Sequence, residues 1–191
     1  MKKIGICLTV VISFLLMGCF GGKSKPSSFY TLSVSEKTQP ISTIKKSIGV
    51  LPVRIPDFLD RPQIVLSANS TQLNVSETNR WIEPLSLVTQ RVLIADIQKE
   101  LPNAYVKTKG YDNAVFQRLI QVEVNGMNGE FDKEATLSVW WSVLNNNGQE
   151  LYRSRFESAI SMGKTYDSFV LAQSVLWGQL SEAIAQYVSN H

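Results

Sequence analysis

Residues 1 to 19 decide how much of this chain is available to fold, and on which side of a membrane. Lys2 and Lys3 give a short basic start, Ile4 to Met17 carries no charge, and Gly18 stands before Cys19. That order predicts a secretory signal, with a basic n-region, an apolar h-region and a small residue at the cleavage point. The apolar run is shorter than the ~20 residues a spanning helix needs, so it reads as a leader. Residues 1–18 are assigned to the signal, and 19–191 are left to fold beyond the inner membrane.

The tetrapeptide Leu16-Met17-Gly18-Cys19 resembles the lipobox of bacterial lipoproteins. The resemblance implies a diacylglyceryl thioether on Cys19, cleavage before it, and an acyl chain such as palmitate on the new amino group. No other cofactor is expected. Phe20 to Ser28 is small, polar and rich in Gly, Pro and Ser. Residues 19–28 therefore read as lipidated cysteine and flexible tether, spanning roughly 15 to 30 Å.

Removing the leader changes what composition can say. The whole chain has 19 basic and 16 acidic residues, for a formal charge of +3. Loss of Lys2 and Lys3 leaves 17 against 16, and no basic face of the kind that binds nucleic acid remains. Cys7 departs with the leader and Cys19 is blocked by lipid, so no thiol is left for a disulfide, a metal or nucleophilic attack. The only histidine is the terminal His191. Zinc sites and Ser-His or Cys-His catalysis lack their parts, and the chain reads as no enzyme.

Residues 29–191 are enough for one domain. Phe29 to Val34 alternates and predicts a first strand, and Ser47 to Ile55 predicts a buried one interrupted at Pro52. Gln63 to Ala68 and Gln72 to Ser76 flank Asn69-Ser70-Thr71 as a hairpin. A helix is expected from Glu83-Pro84 to Pro102, with Leu85, Val88, Val92, Ala95 and Leu101 on its apolar stripe. Arg118 to Asn125 alternates, and residues 134–146 and 149–161 predict a hairpin around Asn146-Asn147-Gly148. A last helix is capped by Asp167 or Ser168, with Phe169, Ala172, Leu176, Leu180, Ala183 and Tyr187 as its stripe. The order predicts an α/β domain, a mixed sheet flanked by two main helices.

Two places carry candidate partner-binding residues. In Ile55-Pro56-Asp57-Phe58-Leu59-Asp60-Arg61-Pro62, two prolines stiffen a loop and set Phe58 and Leu59 between charges. Pro56, Phe58, Leu59 and Arg61 could meet a partner; alternatively Phe58 and Leu59 fold back onto the core. Trp140 and Trp141 are adjacent in a strand and must face opposite sides. Trp141 shares the apolar face with Leu137, Val139 and Val143, so Trp140 is either covered by a helix, the usual arrangement in α/β sheets, or offered to a partner. Asp57 with Asp60, and Glu130 with Asp132, are acids in turn-like sequence and do not argue for catalysis.

Taken in order, the lipobox, Phe29-Tyr30-Thr31-Leu32, Ile48-Gly49-Val50-Leu51-Pro52-Val53 leading through Ile55 to Val65, and Trp81 with Glu83-Pro84-Leu85 resemble the ABC-type transport auxiliary lipoproteins, the PqiC family. The resemblance runs over essentially the whole chain after the leader. It implies an outer-membrane lipoprotein facing the periplasm and serving membrane integrity, and Phe20 rather than aspartate after Cys19 agrees with that sorting. It also implies an MCE-domain, periplasm-spanning partner that moves lipids, and a possible homo-oligomeric ring. No catalytic residue is carried over. The competing reading is an independent envelope lipoprotein that binds a small apolar or glycan ligand.

Overall fold

The computed structural model describes residues 25–36, 39–69, 71–110 and 115–191; Cys19 and the leader lie outside them. Along the chain come β1 (Ser28–Tyr30), β2 (Ser47–Val50), β3 (Gln63–Ser67), β4 (Leu73–Trp81), α1 (Leu85–Glu100), β5 (Tyr105–Thr108), β6 (Arg118–Gly129), β7 (Glu134–Leu144), β8 (Glu150–Ser161) and α2 (Tyr166–Asn190). This is the expected α/β class, with mixed strand directions and two main helices. The strands are divided between a five-stranded sheet in the order β5-β2-β6-β7-β8 and a three-stranded one in the order β1-β4-β3.

The β6-β7-β8 meander is local antiparallel pairing. Val122 stands opposite Trp141, and Trp141 opposite Ser154. The β7–β8 turn closes as its sequence implies: Gly148 takes φ +80°, a region that a side chain disfavours. Asn145 Oδ1 accepts the backbone N–H groups of Asn147 and Gln149, both at 3.0 Å. By contrast β2 pairs in parallel with β5 and β6, which are far along the chain. Gly49 makes that edge possible. A Cβ there would stand 2.8 Å from side-chain atoms of Phe116 and Leu119, closer than carbon atoms approach.

Both helices cover one face of the five-stranded sheet, the face of Ile48, Val50, Ile120, Val122 and Trp141, all of them core residues. Gln90 Nε2 of α1 donates to Val50 O (3.1 Å), and Gln173 Nε2 of α2 donates to Asn128 O and Thr136 O (3.0 Å each). The opposite face carries no helix among the described residues. The coverage expected for Trp140 is therefore corrected: both main helices of the described residues are committed to the other side.

Three local expectations also change. Beyond Tyr30 the chain leaves the sheet and lies as a strap against the helices, where Ser33 N donates to Ser174 Oγ (3.0 Å) and Ser35 N to Asp96 Oδ1 (2.7 Å). Its alternation therefore marks contact with helices rather than strand pairing. The strand expected to reach Ile55 breaks after Val50 at Pro52, and the chain rejoins β6 through an isolated parallel bridge between Arg54 and Glu123. The last helix starts two residues early, on Thr165, whose side chain accepts Ser168 N while Ser168 Oγ accepts Thr165 N.

Candidate functional site

The Pro56–Pro62 loop is built by its own backbone. Leu59 N (2.8 Å) and Asp60 N (3.1 Å) both donate to Pro56 O, and Trp81 N donates to Pro62 O at 2.8 Å. The turn points Leu59 inward, where it is 3% exposed, and leaves Phe58 46% exposed. Leu59 is thus corrected from candidate contact to core residue, because the turn closed on Pro56 O aims its side chain into the core. Pro56 and Arg61 are half-buried, and Arg61 Nε donates to Gln63 Oε1 (3.2 Å).

Asp60 ties this loop to α1. Pro84, at the helix start, has no side chain able to cap, and the first turn of α1 has no acid of its own. Asp60 Oδ1 accepts Ser86 N instead, at 3.1 Å, so a residue 26 positions upstream does the work of a cap. A cavity of about 220 Å³ lies between, lined by Asp60, Arg61, Pro62, Trp81, Ile82, Glu83 and Pro84. The arrangement is a stiff, proline-rich surface with apolar side chains at its rim. Asp60 is committed to the helix, so it is no half of a catalytic pair with Asp57.

Trp140 belongs to a different surface, across β6 from the loop. It stands opposite Glu123 on one side and Arg155 on the other, with the Arg153 guanidinium 5.0 Å from its ring centroid. The other acid pair is also in structural use: Glu130 binds Lys133, and Asp132 meets Lys164 at 3.0 Å. Among the described residues no cluster of three or more His, Cys, Asp or Glu could hold a metal. No helix there is long and apolar enough to cross a membrane.

Sequence reasoning missed two features. The first is Asp96, 1% exposed on the stripe position where Ala95 was expected. Burial pushes its carboxyl up to about 6, against the opposing pull of the Ser35 N–H and Lys99, while Glu100 adds to the rise. Lys99 Nζ also donates to Ser35 O (2.7 Å), so one turn of α1 grips both backbone groups of Ser35. The second is a set of apolar side chains left in solvent, Phe29, Ile82, Leu87 and Leu171. Leu87 carried a signal, since it falls off the stripe of Leu85, Val88 and Val92.

Comparison with known proteins gives this geometry a context. The family of ABC-type transport auxiliary lipoprotein components matches residues 30–185. Curated relatives are the "Intermembrane transport lipoprotein PqiC" of Escherichia coli (strain K12) and that of Shigella flexneri. Each is 25% identical over 182 residues, covering 95% of this chain and 96% of the relative. Among solved structures, an uncharacterized protein superposes with a TM-score of 0.74 at 24% identity, over 86% of this chain and all of that one. Protein XCC0632 from Xanthomonas campestris gives 0.71 at 12% identity, over 84% and 94% of the two chains. Both share the fold.

Proposed function

We propose, from the premise that this chain belongs to the ABC-type transport auxiliary lipoprotein family, that it is the outer-membrane docking subunit of an intermembrane lipid-transport system. The family is one of transport auxiliaries rather than enzymes. The relatives' names, intermembrane transport lipoproteins, support the transport reading. The observation that carries docking is the loop around Phe58: an exposed aromatic ring on a turn closed by Pro56 and pinned to α1 through Asp60. A rigid apolar anchor of this kind loses little conformational entropy on binding. The cavity beside the loop, about 220 Å³, falls below the size of an ordinary ligand pocket, so the loop itself is better suited to docking than to holding a small ligand.

In this reading Cys19 carries the lipid anchor, the tether holds the domain at the periplasmic face of the outer membrane, and the partner is an MCE-domain protein spanning the periplasm. Confinement by a short tether raises effective concentration to the order of mM, so a modest contact suffices. Copies assembled as a ring around the partner's end would add multivalency to that gain. Replacing Cys19 by alanine releases the folded domain into the periplasmic fraction and abolishes function. Recovery of the variant from the outer membrane would end the reading. A pull-down from detergent-solubilised membranes, read by mass analysis, should return an MCE-domain protein with the native chain; a monomer carrying a bound lipid or glycan would favour the independent-carrier alternative.

A further inference from the structure

Four of the apolar side chains stranded in solvent lie around the strap. Phe29 of β1 pairs with Arg80 of β4, and one step on, Ile82 N donates to Tyr30 O at 2.9 Å. Ile82 thus directly follows β4, alongside the strand that carries Phe29. Arg91 of α1 then reaches over to Thr31 Oγ1 (3.0 Å) and Glu83 Oε1 (2.6 Å). Leu87 is one turn before Arg91 on the same helix face. Across the strap, Ser33 is held by Ser174 of α2, and Leu171, one turn earlier, lines the same groove as Ser33 and Val34. Phe29, Ile82, Leu87 and Leu171 are each more than half exposed. They ring the strap at the point where the domain meets its tether.

We propose that this surface seats on the bilayer that holds the lipid anchor, so that the domain rides its membrane in one fixed orientation rather than tumbling on the tether. The inference rests on the reading of Cys19 as the lipidated residue. Nine residues stand between Cys19 and Phe29, a reach of at most roughly 35 Å even when fully extended. The surface around Phe29 is therefore the part of the domain that meets the bilayer most often. Insertion of apolar side chains at the headgroup boundary is favourable in proportion to their buried area. Lys25, exposed and three residues before β1, and Lys23 ahead of it in the sequence suit anionic headgroups, whereas Glu36 and Glu182 line the groove beside Leu171. The acyl chains already supply retention, so what the patch adds is orientation. The helix layer turns toward the membrane, and the open sheet face with Trp140 turns away from it. The Phe58 loop, tied to the start of α1, stands at the membrane's edge.

The mature chain lends itself to a direct test, because the thioether on Cys19 leaves it without a free thiol. Single cysteines are introduced as Ile82→Cys, Leu87→Cys and, on the open sheet face, Leu151→Cys, and an environment-sensitive fluorophore is attached to each. The lipidated protein is reconstituted into vesicles of phosphatidylethanolamine and phosphatidylglycerol that contain a lipid-borne quencher. Labels at 82 and 87 should shift to the blue and lose roughly half or more of their emission, while the label at 151 stays unquenched. Equal, weak quenching at all three positions in protein that floats with the vesicles overturns the seat. Protection of 82 and 87 that appears only after adding a solubilised membrane extract assigns the patch to a protein partner and likewise overturns it. Protein that fails to float indicts the lipid anchor instead, so the two failures are distinguishable.

Discussion

Trp140 and Trp141 are neighbours in one strand and have opposite fates. Trp141 is 4% exposed and meets Tyr152 and Tyr187 at ring-centroid distances of 5.2 and 6.1 Å. Tyr152 and Tyr187 stack on each other at 4.0 Å, which joins β8 to α2. Trp140 is 36% exposed and has Arg153 over its ring. The same contrast runs through the whole five-stranded sheet: one face is a core closed by two helices, the other is a surface laced with charge. The loop repeats it on a smaller scale in Leu59 and Phe58. In the strand, being next in sequence says that the two side chains part company; in the loop only the fold separates them.

Single substitutions sharpen this contrast. Trp141→Ala should cost about 3–5 kcal/mol by opening a cavity among packed rings, whereas Trp140→Ala should stay below about 1 kcal/mol. Denaturant melts decide it, and equal losses would mean that the open face is covered after all. Leu59→Ala should cost about 2–5 kcal/mol, with Phe58→Ala nearly silent in stability but defective in partner capture. A Phe58 variant that melts early and captures normally would reverse the assignment.

A smaller effect tests a carboxyl buried in the covered layer, that of Asp96. Asp96 has a folded value near 6, above its ordinary 3.8, so the folded state holds its proton more tightly. The stability this confers is fully present below pH 3.8 and is lost as pH rises through 6. Asp96→Asn, which keeps an oxygen for the Ser35 N–H, should therefore exceed the parent in stability at pH 8 by no more than ~3 kcal/mol, with the gap closing below pH 5. Melts at the two pH values check it; a gap indifferent to pH would show that burial of Asp96 is not what lifts its pKa.

Much of the local structure was legible. Asn146-Asn147-Gly148 marked its hairpin because glycine admits the positive φ the turn needs. Helix boundaries followed from Pro84 and Pro102, and alternation located the β6-β7-β8 meander. The features that escaped depend on partners distant in sequence. Asp60 caps a helix 26 positions ahead. The strap owes its place to Ser174 and Asp96, 141 and 61 positions away. No window on the sequence contains both ends of such a bond.

The sequence by itself determined what short-range geometry controls: that Trp140 and Trp141 oppose each other, and that the loop from Pro56 to Pro62 is stiff. Only the tertiary structure decided which side of the sheet received the helices, that Leu59 rather than Phe58 enters the core, and that Phe29, Ile82, Leu87 and Leu171 remain in solvent around the strap. Alternation and turn geometry are set by neighbouring residues, whereas burial is shared out among elements that meet only once the chain has folded.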